Sequence, residues 1–259
     1  MTEPNNISND RKIIVPYRPE TQETGAAGEK SAKGNIWGAN LIPDYNFGIS
    51  FSNKKELPAE KSKKLNLEFS FLKQTWGEFY PEISDEFIVK TMDIAKELNC
   101  DAEDLLAIFS YESKMEPAAG TGFGGICQLS EASLKNTIKF SKEKFKENSK
   151  LDENVDSLEK FRKLTREEQL DYAKDYILLC KEGAGLKNDR KLSAGELYGL
   201  FFLPGRVKNG VLCNSTDIMP QFYKSAKHFD LNNDNSITTD DLKQCIEAEK
   251  EMCYKKTIK

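Results

Sequence analysis

Apolar side chains recur at helical spacing along most of the chain beyond about residue 65. The first clear stripe has the spacing i, i+4, i+7, i+11 and consists of Phe87, Thr91, Ile94 and Leu98. This period places one side of a helix against a core, and it predicts a helix that ends near Asn99 and Cys100. Alternating strand patterns are scarce, so the sequence predicts a mainly α fold.

A second helical stripe follows directly. Asp101 and Asp104 are expected to cap the start of a helix, because carboxylates accept hydrogen bonds from the backbone amides that a first turn leaves unpaired. The buried face is predicted to hold Leu105, Ile108, Phe109 and, at the next position of the same stripe, Glu112. A glycine-rich loop over residues 118–125 ends this segment.

Two capping boxes predict later helices. Thr165 with Glu168 and Ser193 with Glu196 each have the spacing in which the two side chains satisfy backbone amides reciprocally. The segment 197–203 after the second box is apolar nearly all round, so we expect it to be buried.

Two stretches lack an apolar period. Residues 1–64 hold five of the nine prolines and many small polar residues, which predicts a disordered tail or linker. Within it, Ile36 to Phe51 is richer in aromatic residues and is either a collapsed part of the linker or a docking segment. The stretch 141–163 is dense in charge and is predicted to be a solvated helix or an insertion.

Charge narrows the classes of partner. Lys and Arg total 38 against 42 Asp and Glu, and this net charge of -4 provides no basic surface for nucleic acid. His228 is the only histidine, which excludes a histidine-rich metal site and a histidine-activated serine nucleophile. Acid/base chemistry is therefore expected from carboxylates.

The cysteines and the N-terminus bear on location. The six cysteines form no C-x-x-C pair, so zinc is not expected, and we predict reduced structural thiols, although an even count permits disulfides. Residues 1–10 contain no apolar secretory segment, and no run approaches the length of a membrane span. The protein is expected to be soluble, and either cytoplasmic or exported by a non-standard route.

Glu112 is the most informative single residue. It occupies an apolar stripe, where burial would raise the pKa of its carboxyl towards the value that a general acid needs near neutral pH. The alternative is an ordinary exposed glutamate at the end of a helix.

The stretch from Ala107 to Ser130, AIFSYESKMEPAAGTGFGGICQLS, resembles the signature of the lysozyme-like transglycosylases. In that family a helix ends in Glu-Ser, a loop with Pro and Gly follows, and a Gly-hydrophobic-hydrophobic-Gln turn begins the next helix. The matching residues are Glu112, Ser113, Gly125, Ile126, Cys127 and Gln128. The later segments LTREEQLDYAKDYI and ELYGLFFLPGRV also resemble helices of such domains, and the likeness covers about residues 84–215.

The resemblance implies cleavage of the β-1,4 bond between N-acetylmuramic acid and N-acetylglucosamine in peptidoglycan strands. Glu112 would be the single acid/base, and the muramic 6-hydroxyl would supply the nucleophile. Ser113 would orient Glu112 or the sugar, Gly125 would let the backbone approach the glycan, and Gln128 would contact an N-acetyl group. Taken alone, Gln128 would be a polar residue at a helix start, and Gly125 part of a plain turn.

A third family motif, Ala-Tyr-Asn, is missing, and Tyr198 is its nearest counterpart. Tyr198 is either this counterpart or a core aromatic residue. The missing motif leaves open whether water or the 6-hydroxyl attacks. It also leaves open a second function, a non-catalytic module that binds glycan or calcium.

A second motif spans Asp230 to Asp241, DLNNDNSITTDD. Its oxygen-bearing residues have the spacing 1, 3, 5, 7, 9 and 12 of an EF-hand loop for Ca²⁺, and they are Asp230, Asn232, Asp234, Ser236, Thr238 and Asp241. Asn235 replaces the usual glycine at position 6 and tolerates a positive φ; Asp241 replaces the longer glutamate at position 12. The sequence predicts a structural Ca²⁺ site, or otherwise an Asx-rich turn.

These elements predict three parts. Residues 1–64 form the tail, residues 65–215 a lysozyme-like catalytic domain, and residues 216–259 an EF-hand-like helix-loop-helix.

Overall fold

The computed structural model describes residues 59–217 and 220–257. The aromatic segment from Ile36 to Phe51 and the tail up to residue 58 lie outside this range. Among the described residues, a boundary between Asn66 and Leu67 separates the start of the first helix, which belongs to a smaller unit, from a larger unit. The larger unit contains all other described elements.

The described chain is mainly helical, which confirms the predicted class. The helices are α1 (Ala59–Leu72), α2 (Asp85–Leu98), α3 (Ala102–Ser113), α4 (Glu131–Phe145), α5 (Leu158–Phe161), α6 (Arg166–Gly183), α7 (Ala194–Phe202), α8 (Pro220–Ala226) and α9 (Thr239–Thr257). A π-helical turn, Lys73–Gly77, follows α1, and short 3-10 turns cover Lys146–Asn148, Pro204–Asn209 and Lys227–Phe229. The two described strands, β1 (Val211–Asn214) and β2 (Ser236–Thr238), pair antiparallel.

Local capping signals predict several helix ends correctly. α2 ends at Asn99, which adopts a left-handed conformation with φ 56°. Both predicted capping boxes are present, at Thr165 with Glu168 and at Ser193 with Glu196. Each satisfies amides that the first helical turn leaves without an intrahelical partner.

The side-chain hydrogen bonds predicted to cap the start of α3 are wrong, although the capping position is correct. Asp101 occupies the capping position, but its side chain accepts no hydrogen bond from the helix. Lysines from distant segments engage the two carboxylates instead: Lys191 lies 3.0 Å from Asp101, and Lys250 of α9 lies 2.5 Å from Asp104. Asp104 is buried, so the full charge of a lysine stabilises its carboxylate better than a backbone amide does.

Helix α7 is the centre of the larger unit. Its residues 197–202 are buried, as the apolar sequence predicts, and its most extensive helix contact is with α9. A side-chain carbon added at Gly195 would lie only 1.8 Å from the carbonyl oxygen of Thr239, so the two backbones touch. Helix α3 also packs against both, which brings the end of the Glu112 helix to the C-terminal helix.

The charge-dense stretch 141–163 is only partly helical. It contains the last turn of α4, a 3-10 turn and the short α5. No helix within the described ranges is both long and apolar enough to cross a membrane.

Candidate active site

Glu112 lies in the last turn of α3, on the same face as the apolar stripe, and its environment is largely buried. The residue keeps partial solvent access. Burial raises the pKa of its carboxyl from 4.5 to about 7, because a charged carboxylate loses hydration there. The hydroxyl of Tyr198 donates a hydrogen bond of 2.7 Å to Oε1, which lowers the same pKa by a smaller amount.

Tyr198 comes from α7, far along the chain from Glu112. Burial and the nearby Glu112 carboxylate raise the pKa of its phenol, so the hydroxyl stays protonated and available as a donor. The ring contacts Tyr111 with centroids 5.6 Å apart and Phe229 with centroids 5.9 Å apart. The side chain that was predicted to be either a motif counterpart or a core aromatic residue is therefore buried and also bonded to Glu112.

Ser113 is buried, and its hydroxyl makes its hydrogen bonds to the backbone and not to the Glu112 carboxylate. Its hydroxyl contacts two backbone carbonyl oxygens, that of Phe109 at 2.9 Å and that of Ile126 at 3.0 Å. The first bond lies within α3, and the second joins the helix end to the turn that carries Gln128. Ser113 thus places the turn relative to Glu112.

The predicted Gly-x-x-Gln motif forms a tight turn. Gly124 and Leu129 exchange two backbone hydrogen bonds of 2.9 Å, and Gly125 and Gln128 have φ of 77° and 48°. The Gln128 amide donates to the carbonyl oxygens of Gly125 at 2.9 Å and Ala119 at 3.4 Å. Its nitrogen therefore holds the glycine-rich loop together, and its Oε1 lies close to Gly120 of the same loop.

Sequence reasoning missed Gln169 of α6, a fully buried residue next to this turn. Its Oε1 accepts the amide of Ile126 at 2.8 Å, and its Nε2 donates to the carbonyl oxygens of Pro117 and Phe161. The signal was available: Gln169 lies four residues before Ala173, at the start of the apolar stripe of α6. A polar residue on a buried stripe is the same pattern that singled out Glu112.

The candidate calcium loop is closed by its own side chains. Asp230 accepts the amides of Asp234 at 3.1 Å and Asn235 at 3.0 Å, and Asp234 accepts that of Ser236 at 2.8 Å. Asn235 has φ 68°, which confirms that this position requires a left-handed residue. The hydrogen bond from the Tyr223 hydroxyl, and after it the backbone amides, hold the pKa of Asp230 below its ordinary value, so the carboxylate is charged.

The remaining loop positions are arranged differently. The Asn232 side chain bonds Asp234, and Asp241 accepts both the amide and the hydroxyl of Thr238. Strand β2, which contains Ser236 and Thr238, pairs with β1 of the same chain. The strand partner of this loop is therefore not a second EF-hand-like loop. Over residues 59–217 and 220–257, no three acidic, cysteine or histidine side chains form a metal-binding group.

The donor set of the loop nevertheless suits a hard cation by its chemistry. Three carboxylates, one amide oxygen, a hydroxyl and a backbone carbonyl are oxygen ligands of the kind that Ca²⁺ binds.

Glu112 and Tyr198 form a pair with a single carboxyl of raised pKa, and the bond from Ser113 to Ile126 ties the turn to the same helix end. No other acidic side chain of the described range contributes to the pKa of Glu112. Such a group can hold a proton near neutral pH and release it to a bound oxygen. No family model matches the chain, and no curated protein or solved structure matches it.

Proposed function

We propose that this protein is a peptidoglycan-cleaving enzyme with a lysozyme-like domain, and that it is a lytic transglycosylase. The observation that carries the proposal is the buried Glu112 carboxyl, with a pKa of about 7 and a hydrogen bond from Tyr198. A group with this pKa is half protonated at neutral pH, which suits a residue that must act first as an acid and then as a base.

The proposed reaction uses one carboxyl group twice. Protonated Glu112 gives its proton to the glycosidic oxygen as the bond between that oxygen and C1 of N-acetylmuramic acid breaks. The Glu112 carboxylate then takes the proton of the muramic 6-hydroxyl, whose oxygen forms the new bond to C1. The product is a 1,6-anhydro sugar and Glu112 ends protonated, so no water and no second carboxylate are consumed.

Tyr198 supports both halves of this cycle. Its hydroxyl bonds Oε1 of Glu112, which leaves the other carboxyl oxygen for proton transfer. The same bond favours the charged form of Glu112 once its proton has left. We therefore assign to Tyr198, the nearest counterpart of the missing Ala-Tyr-Asn motif, the role of hydrogen-bond donor to Glu112.

Digestion of purified sacculi, with products identified by mass spectrometry, tests the proposal. The wild-type protein is expected to release anhydro-ended muropeptides, and Glu112→Gln is expected to lower the rate by on the order of a thousandfold, because the amide has no proton to transfer. Glu86→Gln is the matched control, since Glu86 is exposed at the first turn of α2.

The products separate the alternatives. Reducing ends would mean that water attacks, so the enzyme would be a hydrolase. Full activity of Glu112→Gln, or no release by the wild type, would contradict the proposal. Binding of glycan without release would support the non-catalytic module.

We also propose that the loop Asp230 to Asp241 binds Ca²⁺ in an EF-hand-like helix-loop-helix. Support comes from the buried, charged Asp230, from the left-handed Asn235, and from the oxygen donors at the spacing described above. Bound Ca²⁺ would supply positive charge that ties the loop ends together. Phe229, the residue before the loop, packs against Tyr198, so ordering of the loop would support the wall of the proposed active site.

A further inference from the structure

Gln169 makes an unusually complete set of hydrogen bonds for a buried amide. Nε2 donates to the carbonyl oxygens of Pro117 at 2.9 Å, Phe161 at 3.0 Å and Leu164 at 3.4 Å, while Oε1 accepts from the Ile126 amide at 2.8 Å. A fully buried amide of this kind is stable only when its polar atoms are satisfied. Its partners are the residue before the glycine-rich loop, the turn that closes this loop, the last residue of α5 and the loop after α5, so this one side chain joins separate segments of the chain.

The two peptide groups of Ile126 are hydrogen bonded to side chains of two different helices. The Ile126 amide donates to Gln169 of α6, and its carbonyl oxygen accepts the hydroxyl of Ser113 of α3 at 3.0 Å. Ser113 directly follows Glu112, so the two bonds connect the Glu112 helix to α6 through the Ile126 backbone. The turn cannot shift along either helix without breaking one of them.

The contact between Gln169 and the turn is also tight. A side-chain carbon added at Gly125 would lie 2.6 Å from Oε1 of Gln169 and 2.3 Å from a ring carbon of Phe161. Gly125 has φ 77°, a conformation that residues other than glycine rarely adopt. The glycine therefore lets the turn approach α6 closely enough for Gln169 to reach the Ile126 amide.

The other end of the loop is held by the same side chain. Pro117 directly precedes the glycine-rich loop, and Ile126 lies in the turn that closes it. Gln169 bonds both, and therefore fixes the two ends of the loop that would face a glycan. Arg162 adds support in the middle, where it donates to the carbonyl oxygens of Thr121 at 3.1 Å and Phe123 at 2.5 Å.

We infer that Gln169 is a positioning residue for substrate binding: it sets the distance between Glu112 and the turn that carries Gln128. This inference rests on the proposed glycan-cleaving function. Gln169 is buried and touches no reacting atom in this arrangement, so its effect acts through the backbone of Ile126 and Pro117. The Glu112–Tyr198 pair is independent of it, since Gln169 bonds neither residue.

Steady-state kinetics with soluble peptidoglycan glycan strands tests the inference. Gln169→Met keeps the size of the side chain and removes its hydrogen bonds. We expect KM to rise on the order of tenfold while kcat stays within about twofold, because the turn loses its position and the acid/base pair does not. Asp175→Met is the matched control: Asp175 is a buried polar residue of the same helix, but it bonds Ser141 of α4.

Thermal unfolding of the same variants separates positioning from stability. Both methionine variants are expected to melt at lower temperature than the wild type, but only Gln169→Met is expected to change KM. An equal KM in the two variants, measured well below both melting temperatures, would show that Gln169 only stabilises the fold.

A second substitution covers the case in which Gln169→Met does not fold. Burial keeps the carboxyl introduced by Gln169→Glu protonated, so it retains an oxygen for the Ile126 amide and one donor in place of two for the surrounding carbonyl oxygens; KM is expected to rise about threefold. A KM equal to that of the wild type would overturn the inference. If the wild type releases no product, the proposed function fails and the inference with it; if only the KM effect is missing, the proposed function stands.

Discussion

Two loops of this protein have similar lengths, but different groups hold them in place. The glycine-rich loop with its turn, from Pro117 to Leu129, is held by side chains of other elements, chiefly Gln169 and Ser113. The loop from Asp230 to Asp241 is held largely by its own side chains. The first loop depends on the tertiary fold for its shape, and the second depends on its local sequence.

This difference decides how each loop responds to change. A loop held from outside transmits any shift of α3 or α6 to its backbone, which suits a surface that must meet a substrate at a fixed distance. A loop held by its own carboxylates gathers several oxygen donors in one short segment, which is the kind of ligand set that Ca²⁺ binds.

The largest expected effect is on stability, from alanine at the two left-handed positions. Gly125→Ala is expected to destabilise the protein by about 4 kcal/mol, because it adds backbone strain and also overpacks the contact with Phe161 and Gln169. Asn235→Ala, at φ 68° in an exposed loop, is expected to cost about 1 kcal/mol from strain alone. Urea unfolding measures both free energies, and an equal loss of stability in the two variants would contradict the difference between the two loops.

A second prediction concerns stability and pH at Glu112. Its pKa is raised in the folded state, so the folded protein binds an extra proton between pH 4.5 and about 7, and stability falls as pH rises through this window. The loss is about 3 kcal/mol, since each pKa unit corresponds to about 1.4 kcal/mol. Glu112→Gln is expected to be more stable than the wild type by this amount at pH 8 and equally stable at pH 4.

Denaturant unfolding at the two pH values checks this prediction. Glu86→Gln serves again as control and is expected to show no such difference. A Glu112→Gln variant that gains nothing at pH 8 would mean that the carboxyl is hydrated in solution.

The third prediction concerns Ca²⁺ and the self-contained loop. Free Ca²⁺ at about a hundred times its dissociation constant is expected to stabilise the protein by about 2.7 kcal/mol relative to a chelator. Asp234→Ala is expected to remove this gain, whereas Asp240→Asn, an exposed neighbour outside the ligand spacing, is expected to retain it. Melting temperatures with Ca²⁺ and with chelator measure the difference, and a gain retained by Asp234→Ala would place the cation elsewhere.

The smallest expected effect comes from Tyr198→Phe. Loss of the hydroxyl removes the bond that lowers the pKa of Glu112, so this pKa rises further. The alkaline limb of the kcat profile is then expected to move to higher pH by less than about one unit, since such a bond contributes about 1 kcal/mol. An unchanged profile would mean that Tyr198 does not contact Glu112 during turnover.

Local sequence signals predicted the helices better than the contacts between them. The capping box of Thr165 and Glu168 lies within four consecutive residues, so its geometry follows from the sequence alone. The cap expected from Asp101 was wrong, and its carboxylate pairs with Lys191, ninety residues away along the chain. A pattern in one segment contains no information on which distant lysine the fold will bring to it.

The candidate site shows the same limit. Glu112 was detectable because a carboxylate interrupts an apolar stripe, and its pKa of about 7 agrees with the expected direction. The partnership of Gln169 with Ile126 spans 43 residues of chain and with Pro117 spans 52, so no spacing rule could reveal it. Tyr198 was singled out by resemblance, while its bond to Glu112 required the fold.

The backbone contact between Gly195 of α7 and Thr239 of α9 has a practical consequence for anyone shortening this protein. α7 supplies Tyr198, and α9 covers the face of α7 at a distance that admits no side chain at Gly195. A truncated version that stops at residue 215 would expose this face to water and leave Tyr198 on an unsupported helix. The smallest fragment expected to keep Glu112 and Tyr198 together therefore extends through α9.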